Sequence, residues 1–593
     1  MLEYLAQGFG AAFHPMMLLL VVVGTAGGMA IGAMPGLSAT MGLALLVPFT
    51  FTMEATSALV LLGAFYMGAI YGGSFTAILV NAPGTPSSVA TAFEGYKMTK
   101  KGKSELAIVA ATMGSLVGGL IGVTALIFLA PPLADFSLRF GPQEYFWVAI
   151  FGLTIIISMS TGSILKGVIG GTIGLLLATI GIAPVGGDVR FTFGEPMLQG
   201  GVPLVPAMVG LFTIPEVIKL IARKGREAEM ENASRDRQGL WSMIRATVGR
   251  PFNAIRSAVI GTVVGLLPGA GGSVANLVAY SEAKRASKVK ENYGKGEVEG
   301  VVAAESANNA TVGAGLIPTL TIGVPGTPPD AIILGVLLLQ GLRPGAELFE
   351  SSGTMVGTLV IALALSSIVM VPVGLIAGRG LQRGVIALPA RYLAPSIMAL
   401  TIVGSYAVRN SAVDVVIMLV IGVMAYFLGL VGISAAPIVL GLILGTIAEE
   451  GLVQGLLTAT GDAHPWMSFF TRPISIALIA LTLISLLWPL FQWMRRRGKG
   501  ETTSLEDEMT EGLGEEFASE DVIEHSVGEG KAGERKAGEP AVGEHPVRSG
   551  ARAVGSTAAV SRGSQRRGPD PGGTEPRGSD AGGTEPADAD GRS

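Results

Sequence analysis

"IGVPGTPPD", residues 322–330, and "VNAPGTPSS", residues 80–88, decide the fold. Each sets Pro-Gly-Thr-Pro inside an apolar stretch, where proline removes a backbone donor and glycine loosens a helix. Lipid offers no partners to a freed N–H or C=O. A break of this kind is tolerated only inside protein or against a water-filled cavity. A doubled break therefore points to broken or re-entrant helices around an internal cavity, provided that the chain lives in a membrane.

The composition says that it does. Of 593 residues, 49% are hydrophobic and only 15% charged, and the mean hydropathy is +0.56. That balance belongs to a polytopic membrane protein, and the 85 glycines suit close helix packing. There is no cysteine, which excludes disulfides, thiolate metal sites and thiol nucleophiles. The four histidines include His525 and His545 in a polar tail, so no His cluster forms in the apolar region. Residues 1–15 lack a basic leader and carry Glu3, so no cleavable signal peptide is expected.

Apolar runs long enough for helical spans recur at 16–34, 57–73, 105–130, 144–160, 164–182, 203–222, 354–377, 392–408, 413–431 and 473–494. Shorter or interrupted ones occupy 37–51, 74–93, 253–283, 301–323, 327–340 and 435–448. "YGGS" at 71–74 reads as a packed glycine turn, and Asp330 as a helix cap. Beyond residue 499 the chain turns to Gly, Glu, Ala, Arg and Pro with near-repeats such as "PGGTEP", a composition that cannot bury a core.

The repeat is wider than one motif. "IGAMPGLSA" (31–39) matches "VGLLPGAGG" (264–272), and "VPAMVGLFTIPE" (205–216) resembles "APIVLGLILGTI" (436–447). The order is kept, so the chain divides into a first transmembrane repeat (1–222), a cytoplasmic linker (223–252), a second repeat (253–455), an external loop with a final helix (456–498) and a disordered cytoplasmic tail (499–593). Charge sets the relative orientation. In the first repeat the loop between the two Pro-Gly motifs (51–57) has no Lys or Arg, whereas the loop after the second motif carries Lys97, Lys100, Lys101 and Lys103. In the second repeat the pattern swaps: Lys284, Arg285, Lys288, Lys290 and Lys295 lie between the motifs, and only Arg343 follows them. By the positive-inside rule equivalent loops face opposite sides. The expected fold is an all-α polytopic membrane protein of two inverted-topology repeats, with an external N-terminus and an internal C-terminal tail.

Inverted repeats with interrupted helices mark secondary transporters. A Pro-Gly break exposes amides at the start of the next half-helix, where the helix dipole attracts anions and Ser or Thr adds hydroxyl donors. Four such starts supply the candidate anion ligands: Gly36, Ser38 and Thr40; Gly84, Thr85 and Ser87; Gly269, Gly271, Gly272 and Ser273; Gly326 and Thr327. The stretch "ESANNA" (305–310) adds Asn308 and Asn309. Intramembrane polar groups are costly and face a cavity or a partner. Candidates for a coupling ion are Asn81, Asn276, Glu305 and Ser306, with helix–helix hydrogen bonding as the plain alternative for the asparagines.

The stretches "GAMPGLSATMGLALLVPFTF", "YGGSFTAILVNAPGTPSSVATAFEGYKMTKKGKSELA", "GTVVGLLPGAGGSVANLVAYSEAKRASK" and "YGKGEVEGVVAAESANNATVGAGLIPTLTIGVPGTPPDAIILGVLLLQGLRPG" resemble the large permease subunit of tripartite tricarboxylate transporters, the TctA-like family. The resemblance covers about residues 1–495 and excludes the tail. It implies a Na+- or proton-coupled importer of organic anions such as citrate in the cytoplasmic (inner) membrane. It also implies two partners, a small four-span membrane subunit and a periplasmic solute-binding protein. No cofactor beyond the coupling ion and no nucleic acid is expected, and an enzyme is not. The alternative function is an anion channel or uncoupled carrier. An ATP-driven pump is disfavoured, because "GYKMTKKGKS" (95–104) has six residues between its glycines where a phosphate loop needs four.

Overall fold

The structure is a computed structural model that describes residues 2–34, 37–158, 164–183, 186–222, 239–249, 251–269, 271–384, 390–461 and 464–497. The tail therefore lies outside the described residues, as do Gly36 and most of the linker. In chain order the helices are α1 (Leu2–Ala12), α2 (Pro15–Gly32), α3 (Ala39–Thr50), α4 (Ala55–Val80), α5 (Val89–Lys100), α6 (Ser104–Ser137), α7 (Pro142–Ser158), α8 (Ile164–Ala178) and α9 (Leu204–Ala222). They continue as α10 (Leu240–Val248), α11 (Pro251–Gly265), α12 (Gly271–Ala286), α13 (Val298–Ile322), α14 (Pro328–Leu339), α15 (Ala346–Gly384), α16 (Ala390–Arg409), α17 (Ala412–Leu430) and α18 (Ala435–Thr458). A short α19 (Ser468–Thr471) precedes α20 (Pro473–Arg497). Among the described residues the sheet content is one two-residue antiparallel ladder, Gly181–Ile182 with Val189–Arg190. Among the described residues seven helices are long and apolar enough to cross a bilayer, which makes the chain an all-α polytopic membrane protein.

Eight helices run from α2 to α9 and eight from α11 to α18. Packing exchanges between the halves: α6 lies on α13 while α15 lies on α4, and α8 lies on α18 while α17 lies on α9. The matched helices α4 and α13 are the enclosed centre, buried along nearly their whole lengths. Their directions oppose. Helix α4 starts at the 51–54 loop, whose neighbour is the 340–345 loop: the Gln340 amide donates to the Thr50 and Met53 carbonyls at 3.5 and 3.4 Å. Helix α13 ends at that same loop, where Gly345 N–H donates to Leu320 O at 2.9 Å. At the other end of α4, the Thr99 hydroxyl of α5 donates to Ile78 O at 2.7 Å. The basic loop after α5 there meets the basic loop before α13, Lys101 Nζ donating to Lys295 O at 2.5 Å. Buried Glu94 ties this end, accepting Gly296 and Glu297 N–H at 2.6 and 2.8 Å, the Tyr280 hydroxyl at 2.7 Å, and Gly294 N–H.

Three expectations change. Residues 71–74 are not a turn. They sit inside α4, a continuous 26-residue helix, because its glycines are contact residues. A side-chain carbon on Gly68 would strike the Thr25 carbonyl of α2, and one on Gly28 the Phe65 carbonyl of α4. The polar stretch of 301–323 does not interrupt its helix, since α13 is continuous over 25 residues. The run at 435–448 extends ten residues further, to Thr458, as Glu449 finds Arg190 at 2.7 Å. Part of the linker is also ordered: Met243 of α10 is buried in the core beside α6. Helix α20 docks through Glu144 of α7, which meets Arg472 Nε at 2.9 Å and the Ser475 hydroxyl at 2.8 Å.

Candidate functional site

Both Pro-Gly-Thr-Pro segments are re-entrant. After α4 the chain leaves the helix at Asn81, in a left-handed conformation (φ 53°), and doubles back. Gly84 N–H reaches Gly73 O at 3.2 Å, and Ser88 begins α5 at that level. The return thus starts roughly 10 Å inside the end of α4. After α13 the same course begins at Gly323 (φ 72°). The contacts repeat: a side-chain carbon on Gly84 would lie 3.0 Å from Gly73 Cα, and one on Gly326 would lie 3.0 Å from Gly315 Cα. Glycine is needed at both crossings because two backbones touch. Gly84 also lies against Gly32 O of α2 and Gly326 near Gly265 O of α11, and in the second half the two Pro-Gly motifs meet, Gly269 N–H donating to Gly326 O at 2.7 Å.

The start of α12 is wedged between the two returns. From Gly271 a side-chain carbon would lie 3.4 Å from Thr327 Cγ2. From Gly272 it would lie 2.8 Å from Ser87 Cβ and 2.6 Å from Asn308 Oδ1. One turn on, the Asn276 amide donates to Ser87 O. On the first return Thr85 Oγ1 lies 3.1 Å from Ser87 Oγ and 2.9 Å from Ser88 Oγ. On the second, the Thr327 hydroxyl donates to Asp330 Oδ2 at 2.6 Å and lies 2.9 Å from the Tyr66 hydroxyl of α4. Asn308 sits beside Glu305, whose carboxylate accepts the Thr91 hydroxyl at 2.5 Å and the Ser115 hydroxyl at 3.0 Å.

The structure therefore brings together Gly84, Thr85, Ser87, Gly269, Gly271, Gly272, Gly326, Thr327 and Asn308, with Asn276 and Glu305 beside them. Two of these polar groups are shielded yet lack a hydrogen-bond partner in the protein, Asn308 Oδ1 and Asn276 Oδ1, while the Asn308 amide nitrogen faces the Glu305 carboxylate. A buried polar atom left unsatisfied is costly and calls for a ligand. The amides of α12 and the hydroxyls of Thr85 and Ser87 offer donors and a helix N-terminus, which suit an anion.

Other candidates fall elsewhere. Ser38 caps α3, accepting Met41 N–H at 3.1 Å, and Thr40 is half-buried on the next turn. Ser273 is exposed. Asn81 is also exposed, and its role is the left-handed end of α4, matched by Gly323. Asn309 turns to α4, its amide 3.4 Å from both Met67 O and Met67 Sδ. Ser306 faces α6 beside Gly114. Asp330 is indeed in the first turn of α14, but Thr327 is the cap, accepting Asp330 N–H at 3.4 Å. Sequence reading missed Tyr66, Thr91 and Ser115. Tyr66 and Ser115 belong to apolar helices and Thr91 to the mixed helix α5, and only their places in the folded chain reveal them.

Residues 18–440 match the profile of the tripartite tricarboxylate transporter TctA family. A protein of the TAR-I ttuC' 3' region of Agrobacterium vitis is 35% identical over 497 residues, covering 84% of this chain and 98% of that protein. A second, from the TAR-II ttuC' 3' region of the same organism, is 34% identical over 237 residues, covering 40% of this chain and 96% of that protein. No solved structure matches.

Proposed function

The chain belongs to the tripartite tricarboxylate transporter TctA family, and from that premise we propose that it is the large permease subunit of a secondary transporter importing small di- or tricarboxylates, driven by a Na+ or proton gradient. The observation that carries the reading is the wedge of α12 between the two returns, with the shielded side chain of Asn308 at its tip. A carboxylate there accepts from helix amides, from Thr85 and Ser87 hydroxyls and from Asn308 Nδ2. Opposed α4 and α13, matched element order and exchanged packing support two inverted repeats that share one site. The two basic loops meet at one end, which the positive-inside rule assigns to the cytoplasm of an inner membrane. The N-terminus is then external and the C-terminal tail cytoplasmic. A periplasmic solute-binding protein delivers the anion, and a small four-span membrane subunit completes the assembly.

The test is uptake of labelled di- and tricarboxylates by proteoliposomes holding the three components, under imposed Na+ or proton gradients. Asn308→Ala removes one charge-assisted hydrogen bond and is expected to lower uptake by about tenfold or more at unchanged expression. Uptake at the unsubstituted level in Asn308→Ala overturns the site.

A further inference from the structure

Asp330 borders the anion site through Thr327, whose hydroxyl it accepts, but is not itself an anion ligand. It is fully shielded, and among the described residues no Lys, Arg or His pairs with it. From α4 the titratable group that reaches it is Tyr66. On α13 the nearest acid is Glu305, roughly 15 Å along the helix from Gly315. Helix α3 carries no charged residue. Glu216 of α9 pairs with Lys219, and on α18 Glu449 pairs with Arg190, Glu450 following it.

The hydrogen bonds run one way. Thr327 spends its proton on Asp330 Oδ2, so the Tyr66 hydroxyl donates inward to Thr327. Both hydroxyl protons point along the chain toward the carboxyl, where they hold Oδ2 in place as an acceptor. Asp330 Oδ1 is buried without a partner. The fold does not require a carboxyl here. At the matched position the first half has Ser88, and the same return with the same glycine crossing closes on its neutral hydroxyl, 2.9 Å from Thr85.

We propose that Asp330 binds the coupling proton. The carboxylate takes up one proton to become a neutral acid, no other bond changes, and the proton leaves when the site opens to the other side. Thr327 and Tyr66 are positioning residues that hold Oδ2 and leave Oδ1 to titrate. Neutralising the group relieves the cost of a lone charge inside the span. The transport cycle in this inference rests on the importer reading, whereas the titration does not.

Infrared difference spectra of the full chain in liposomes, recorded between acid and alkaline pH, test the titration directly. A protonated-carboxyl band is expected on acidification. The chain has 45 Asp and Glu, so the readout is one component of that band, missing in Asp330→Asn and in Asp330→Ser, the residue of the matched position, and kept in Glu305→Gln. A spectrum unchanged by both Asp330 substitutions overturns the proposal. In proteoliposomes with the partner subunits, Asp330→Asn is expected to lower the ratio of pH-gradient-driven accumulation to anion exchange by at least tenfold. An unchanged ratio also overturns it. If the unsubstituted protein moves no carboxylate, the importer reading fails, and the infrared result still decides Asp330.

Discussion

At φ 53° the backbone of Asn81 lies in the left-handed region, with the side chain exposed. Asparagine tolerates that conformation and glycine prefers it, as Gly323 at the matched turn illustrates. Asn81→Gly is therefore expected to leave thermal unfolding and anion uptake unchanged, and Asn81→Val to cost about 1–2 kcal/mol. Loss of ion coupling in Asn81→Gly would make Asn81 a ligand after all. Ser38→Ala is expected to cost about 1 kcal/mol through its lost cap, read as a fall in melting temperature. The residue types of the site were legible in the sequence, because polar groups next to Pro-Gly breaks stand out. Their directions were not: Ser306, Asn308 and Asn309 are close in sequence, yet a helix turns them toward α6, the site and α4 respectively. Tyr66 gave no signal, since an aromatic in an apolar helix looks like any other core residue.

The continuity of α4 shows why element boundaries were harder to read than elements. Glycine weakens an isolated helix, which is why 71–74 reads as a turn. Between membrane helices the same residue lets two backbones meet, and Gly68 and Gly72 do so against Thr25 and Met29 of α2. Gly68→Val forces these backbones apart and is expected to cost about 1–3 kcal/mol or more, measured as thermal unfolding in detergent. Gly10 of α1 has open space around it, so Gly10→Ala is the control, expected to be neutral or to stabilise by roughly 0.5–1 kcal/mol. Equal losses in both variants would mean that the contact is not what holds the pair. Helix α18 makes the complementary point. Hydropathy ended it at 448, but the Arg190–Glu449 pair lets a polar turn continue the helix.

At the scale of the molecule, the pattern of loop charges carried more information than any one motif. The basic loop after α5 lies beside the basic loop before α13, and the loop after α3 beside the one after α14, as the proposed opposite insertion of the two halves requires. Helix α4 separates these two ends by roughly 39 Å, enough to cross a bilayer. The natural lack of cysteine makes the arrangement measurable without background. Single cysteines at Lys101 and Lys295 are expected to react with a membrane-impermeant maleimide from one side only, and the pair to cross-link through a short bifunctional reagent. Cysteines at Met53 and Arg343 are expected to react from the other side only. Labelling of Lys101 and Lys295 positions from different sides would separate loops that here share hydrogen bonds through Glu94 and Lys101. It would remove the opposed direction of α4 and α13, and with it the reason for the two returns to meet at one site.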